Sequence, residues 1–136
     1  SAVPKFLFYA FFACSALAAV SGVQFQVGEK LGWRKPNGHE NETYNEWAGK
    51  NRFRIGDSLH FKYSRKDSVL EVDSGDYKTC NASNPIGKFD GGDTIFEFDR
   101  SGSFYFISGQ SGHCEAGQKL IVRVMHTEIA PSPSEA

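Results

Sequence analysis

Apolar residues recur at every second position in short runs from Phe25 onward, and this period of two is what most restricts the fold. Phe25 and Val27 share one side of a strand, and Leu59, Phe61 and Tyr63 share a face opposite Ser58, His60 and Lys62. The alternation returns in TIFEF, SFYFI and KLIVRVM; in the last, Leu120, Val122 and Val124 face one way and Ile121, Arg123 and Met125 the other. Such spacing places successive side chains on opposite faces of a sheet, so half-buried strands are predicted. Turn residues separate the runs at Ile55-Gly56-Asp57-Ser58, Asp90-Gly91-Gly92-Asp93 and Ser101-Gly102-Ser103. Gly and Asp tolerate the backbone angles of tight turns, and short strands divided in this way build a sandwich or a barrel.

Four stretches depart from the alternation. ETYNEWAGKN around Trp47 and DSGDYKTCN before Cys80 read as short helical segments packed on a sheet edge. The run from Phe6 to Val20 follows Lys5, carries no charge and ends near Ala19, Ser21 and Gly22. That order of basic residue, apolar run and small residues predicts a secretory signal over residues 1–22 whose start is missing. It is shorter than the roughly 20 apolar residues that span a bilayer. APSPSEA at the other end is too poor in apolar residues to join a core, and 128–136 reads as the start of a Pro/Ser-rich linker after a domain over 23–127.

Removal of the leader takes Cys14 with it and leaves Cys80 and Cys114, which admit a single pairing in an oxidising compartment. The sequons Asn41-Glu42-Thr43 and Asn81-Ala82-Ser83 agree with that destination and mark Asn41 and Asn81 as candidate N-glycosylation sites. A formal charge of −1 with both signs interspersed gives no electrostatic footprint for nucleic acid or a membrane surface. Trp33, Trp47, 12 Phe and 5 Tyr could stack on carbohydrate, but most fall on inward strand positions or in the helical turn, and two Phe-rich stretches lie in the leader.

The segment GSFYFISGQSGHCEAGQKLIVRV, from Gly102 to Val124, resembles the copper loop of the phytocyanins, the plant blue-copper proteins. YNEWAGKNRFRIGDSLHFKY and SVLEV followed by YKTCNASNPI resemble further blocks of that family, in order, so the likeness runs from Val23 to Met125. The resemblance implies an all-β, cupredoxin-like Greek-key β-sandwich with one or two short helices and one disulfide, Cys80 with Cys114. It also assigns the copper-ligand positions to Asp67, Ser108, His113 and Gln118. A blue-copper centre takes two imidazoles, a thiolate and a weak axial ligand. Here Asp67 stands at the first His position and Ser108 at the thiolate position, leaving His113 and the axial candidate Gln118.

Ligands lost from a retained scaffold resemble the early nodulin-like subgroup, whose members generally lack the copper centre. The resemblance implies no copper or other cofactor, no catalysis, and a cell-surface recognition or structural module on the extracellular face. Its partner would be a cell-surface protein or a cell-wall glycan, and a lipid anchor would follow a Pro/Ser-rich segment. The alternative is a blue-copper-type electron carrier with altered ligands. A Ser-His-Asp hydrolase from Ser108, His113 and Asp67 is disfavoured because no nucleophile-elbow glycine pattern surrounds Ser108. A zinc site from Asp67, His113 and Gln118 falls short of the three or four strong ligands that zinc takes. The blander reading is a satisfied polar cluster in which Asp67 accepts hydrogen bonds or orients His113. Of the other histidines, His60 is expected to face solvent, His126 ends the last strand and His39 lies in a loop.

Overall fold

The alternating runs become strands of two sheets in the computed structural model, which describes residues 22–126. The expected signal, up to residue 21, and the Pro/Ser-rich stretch 128–136 lie outside the described residues. Sheet I contains β1 (Gln24–Gln26), β3 (Ser58–Lys62) and β6 (Asp93–Glu97) in the order β1-β3-β6. Sheet II contains β2 (Phe53–Arg54), β4 (Val69–Val72), β5 (Gly87–Phe89), β7 (Gly102–Ile107) and β8 (Lys119–Met125) in the order β2-β8-β7-β4-β5. Pairing is antiparallel except for β1 with β3 and β2 with β8.

Register follows the apolar pattern. Phe104 opposes Val122 and Phe106 opposes Leu120, which puts all four on the inward face of sheet II. In sheet I, Leu59 opposes Phe96 and Phe61 opposes Thr94, with Leu59 and Phe61 fully buried. A slip of one residue would turn each of these sets to solvent, so burial fixes the pairing. Phe61 of sheet I then lies 5.4 Å from Phe106 of sheet II and 5.2 Å, edge-on, from Trp33. Phe96 reaches Phe106 at 5.1 Å, so aromatic rings join the layers. Each such buried side chain contributes roughly 1.5–3 kcal/mol by leaving water. His60 lies on the outward face of β3, as expected, with its side chain 15% exposed and Nε2 2.7 Å from Asp93 Oδ1.

Both short helices occur. In α1 (Tyr44–Gly49) the Thr43 hydroxyl accepts from Glu46 N–H, and the Glu46 carboxylate accepts from Thr43 N–H. This reciprocal box satisfies two end donors and fixes where the helix starts. Its buried residues Trp47 and Ala48 join the core. In α2 (Ser74–Thr79) the Asp73 carboxylate accepts from Asp76 N–H, and the helix stops at Cys80 in the left-handed region, φ 54°. β4 is buried at all four residues because sheet II is covered on both faces there. Val69 belongs to the main core, while Leu70 and Val72 pack with Tyr77, Ile107 and Cys114 under α2.

The Cys80–Cys114 bridge ties the end of α2 to the loop before β8, with the Cα atoms 5.8 Å apart. Replacing both cysteines by Ala should lower unfolding free energy by about 3–4 kcal/mol, the loop-closure contribution of a bridge of this span. Denaturant titration of the variant beside the oxidised wild type measures it. Glu71 offers a second test. It is 8% exposed on β4, and burial raises its pKa while Arg100, 3.8 Å away, pulls it down. A carboxyl whose folded pKa exceeds its unfolded one stabilises below the unfolded pKa and loses that stabilisation as pH rises through the folded value. Thermal unfolding of Glu71→Gln should therefore gain on wild type between pH 4 and pH 7, since the exposed Arg100 pair contributes little.

Candidate functional site

Asp67, Ser108, His113 and Gln118 come from two loops that meet at one end of the sandwich. Asp67 sits just before β4, and the other three lie between the end of β7 and the start of β8. The second loop is wound by turns: His113 N–H bonds the Gln110 carbonyl, Gln118 N–H the His113 carbonyl, and Ser108 N–H the Gln118 carbonyl. Gly112 and Gly117 take φ values of 80° and 115° that other residues adopt only with strain.

The four side chains form one hydrogen-bonded network around the carboxylate. Ser108 Oγ donates to Asp67 Oδ1 at 2.6 Å, and Ser68 N–H donates to the same oxygen at 2.7 Å. Gln118 Nε2 donates to Oδ2 at 2.8 Å. Asp67, Ser108 and Gln118 are buried, Gln118 completely. Because an ionised carboxylate only accepts, the Gln118 amide must turn its NH2 toward Asp67 and its carbonyl toward His113. His113 Nδ1 lies 2.9 Å from Gln118 Oε1, so this nitrogen carries the proton and donates it. The same nitrogen is 3.5 Å from Asp67 Oδ2.

Residues that the sequence reading passed over complete the site. Ser68 holds it from both sides: its carbonyl accepts from the Trp33 indole at 2.9 Å and its hydroxyl accepts from Gly109 N–H at 3.1 Å. A Cβ on Gly109 would lie 2.4 Å from Ser68 Oγ, so glycine alone permits that approach. The adjacency of Ser68 to Asp67 was the available signal; its partners are 35 and 41 positions away. A second region escaped the reading altogether. A cleft of about 640 Å³ lies between the 3-10 turn Glu29–Leu31, the N-terminal end of α1 and Ala116–Gly117. In it Glu29 accepts from the Trp47 indole at 2.8 Å and is held at φ 55°. The Tyr44 hydroxyl donates to the Gly32 carbonyl at 2.6 Å, and burial raises its pKa.

A plastocyanin-like domain family matches residues 33–118, an interval that opens on Trp33 and closes on Gln118. Early nodulin-like protein 7 of Arabidopsis thaliana is 51% identical over 112 residues, which are 82% of this chain and 58% of that protein. Early nodulin-like protein 6 of the same plant is 44% identical over 129 residues, 93% of this chain and 72% of that one. The chain belongs to the phytocyanins, in their early nodulin-like subgroup. It spans a little over half the length of early nodulin-like protein 7. Cucumber stellacyanin, solved with Cu2+, superposes at a TM-score of 0.68 with 28% identity over 79% of this chain and 99% of that one. Cucumber basic protein, a blue copper protein, gives 0.64 with 30% identity over 76% of this chain and 100% of that one. The sandwich is therefore of the cupredoxin type, and the domain is phytocyanin-like.

The residues present do not fit a blue-copper centre. Such a centre requires two imidazoles and a thiolate. The network supplies one imidazole, whose inward nitrogen is protonated, with a carboxylate, a hydroxyl and an amide. Both described cysteines are spent in the disulfide. Among the described residues no three of His, Cys, Asp and Glu are grouped to hold a metal ion. Nor does the geometry form a nucleophile and base: the Ser108 hydroxyl donates to Asp67 instead of to His113. Asp67→Asn would set an NH2 group against one of these donors. It should destabilise the protein by about 1–3 kcal/mol, the range for a buried donor left without an acceptor. Chemical denaturation measures this, and a variant as stable as wild type would show that the network holds nothing together.

Proposed function

We propose that this chain is the ectodomain of a copper-free phytocyanin-like glycoprotein that serves at the cell surface as a recognition or structural module. The observation that carries the reading is the closed network around Asp67, in which groups at the metal-ligand positions satisfy one another. A metal ion would have to break these bonds and displace a proton from His113, with no thiolate to compensate. The extracellular assignment draws on the apolar stretch before Val23, the disulfide and the two sequons. Asn41 and Asn81 are both exposed, as carriers of a glycan must be. At Asn81, Oδ1 accepts from the Ser83 hydroxyl at 2.7 Å and the Ser83 N–H at 3.0 Å. No helix among the described residues is long and apolar enough to cross a membrane. Membrane attachment in this reading comes through a lipid anchor, and the partner is a cell-surface protein or a cell-wall glycan.

Titration of the secreted protein with copper(II) should give no intense thiolate-to-copper absorption; its appearance would establish the electron-carrier alternative. The double variant Asp67→His with Ser108→Cys should recover that absorption while neither single variant does, because the two substitutions rebuild the donor set around His113 and Gln118. A folded double variant that stays colourless would refute the placement of these positions at the metal site.

A further inference from the structure

Asn41 lines the cleft beside α1, and this fixes where a sugar on it would begin. The volume of about 640 Å³ falls in the range of small-molecule sites, roughly 300–1,000 Å³. Its surface is amphipathic. Leu31, Pro36 and Tyr44 supply apolar area, and Glu29, Arg34 and Glu46 supply polar groups. Leu31 is 54% exposed at its edge, a large apolar side chain left in water on a one-turn helix. Two positions before it, Glu29 stands in the left-handed backbone region, a conformation that persists only where the surroundings hold it. A pyranose ring matches this lining, since it has an apolar C–H face for an aromatic or aliphatic floor and a hydroxyl edge for carboxylates and guanidinium.

We propose that the proximal sugars of an N-glycan on Asn41 seat in this cleft, cover Leu31 and close it to other ligands. The proposal rests on the secretory reading above. In the modification itself, the Asn41 side-chain nitrogen attacks the anomeric carbon of a lipid-pyrophosphate-linked oligosaccharide. The C–N bond forms, the C–O bond to pyrophosphate breaks, the nitrogen loses a proton, and the lipid pyrophosphate leaves. Once the bond exists, tethering holds the sugar at an effective concentration in the millimolar range, so weak contacts suffice to seat it. Thr43 serves twice. Its hydroxyl completes the sequon in the nascent chain and caps α1 in the folded one. Asn81 lies outside the cleft and provides an internal control.

The test uses the full chain expressed through a plant secretory pathway, with glycopeptide mass spectrometry for occupancy and hydrogen exchange for protection. Asn41→Gln removes this sequon and spares the Thr43 cap, and Asn81→Gln removes the other. Segments 28–31 and 116–117, which line the cleft and are not adjacent to Asn41 in sequence, should exchange several-fold more slowly in wild type and Asn81→Gln than in Asn41→Gln. Enzymatic release of the glycan from folded wild type should reproduce the Asn41→Gln pattern without a sequence change to perturb folding. Equal exchange with Asn41 occupied would mean that the glycan projects into solvent, and the proposal falls. Occupancy at Asn81 alone overturns it as well. Occupancy at neither site overturns the glycoprotein reading with it.

Discussion

A single buried carboxylate organises the end of the molecule where the approach to β4 meets the loop between β7 and β8. Asp67 receives the Ser108 hydroxyl, the Ser68 amide and the Gln118 side chain, each within 2.8 Å. Desolvating a carboxylate is expensive unless its lone pairs are filled, and here three donors fill them. Because the donors come from both sides of the sandwich end, the carboxylate aligns the approach to β4 with the loop entering β8. It also orders the amide of Gln118, and through it the tautomer of His113. A charge that ordinarily opposes burial thus acts as a hub, provided that every spoke is kept.

The surroundings of this hub are rigid for reasons independent of it. Trp33 donates to the Ser68 carbonyl from within the aromatic core, so the core grips the chain immediately after Asp67. On the other side, Cys114 follows His113 directly, and its bridge to Cys80 fastens the loop to α2. Lys119 adds to the clamp: its ammonium lies 4.1 Å from the centre of the Tyr77 ring and donates to the Tyr77 carbonyl at 2.8 Å. A scaffold built this firmly holds the loops of the site in place without a bound ion, because neither the disulfide nor the core depends on one.

The strands of β3, β7 and β8 were legible because one of their faces is buried, and burial imposes the period that a sequence displays. β4 was less so, since α2 covers its second face and removes the alternation. The positions of the site were reachable by likeness to a known family, and Asp67 and Ser108 were read there by their chemistry. The roles of Ser68 and Gly109 were not, because they depend on a contact across 41 residues that no local pattern encodes. For His60 alternation predicts the face but not the neighbour, Asp93 on the adjacent strand. The cleft beside α1 was invisible, being made by three separated segments.

The parallel pairing of β2 with β8 carries a consequence for biogenesis. Phe53 lies beside Val124 and Arg54 beside Met125, so an early strand of sheet II finds its partner only when nearly the whole described chain is available. Contacts this distant in sequence slow the formation of a sheet. A chain emerging from its N-terminal end therefore passes through a long interval in which both sequons are already exposed, Cys80 has no partner, and the sandwich cannot close. On the secretory route proposed above, modification and oxidation have their opportunity in that interval, before the last strand locks the fold around them.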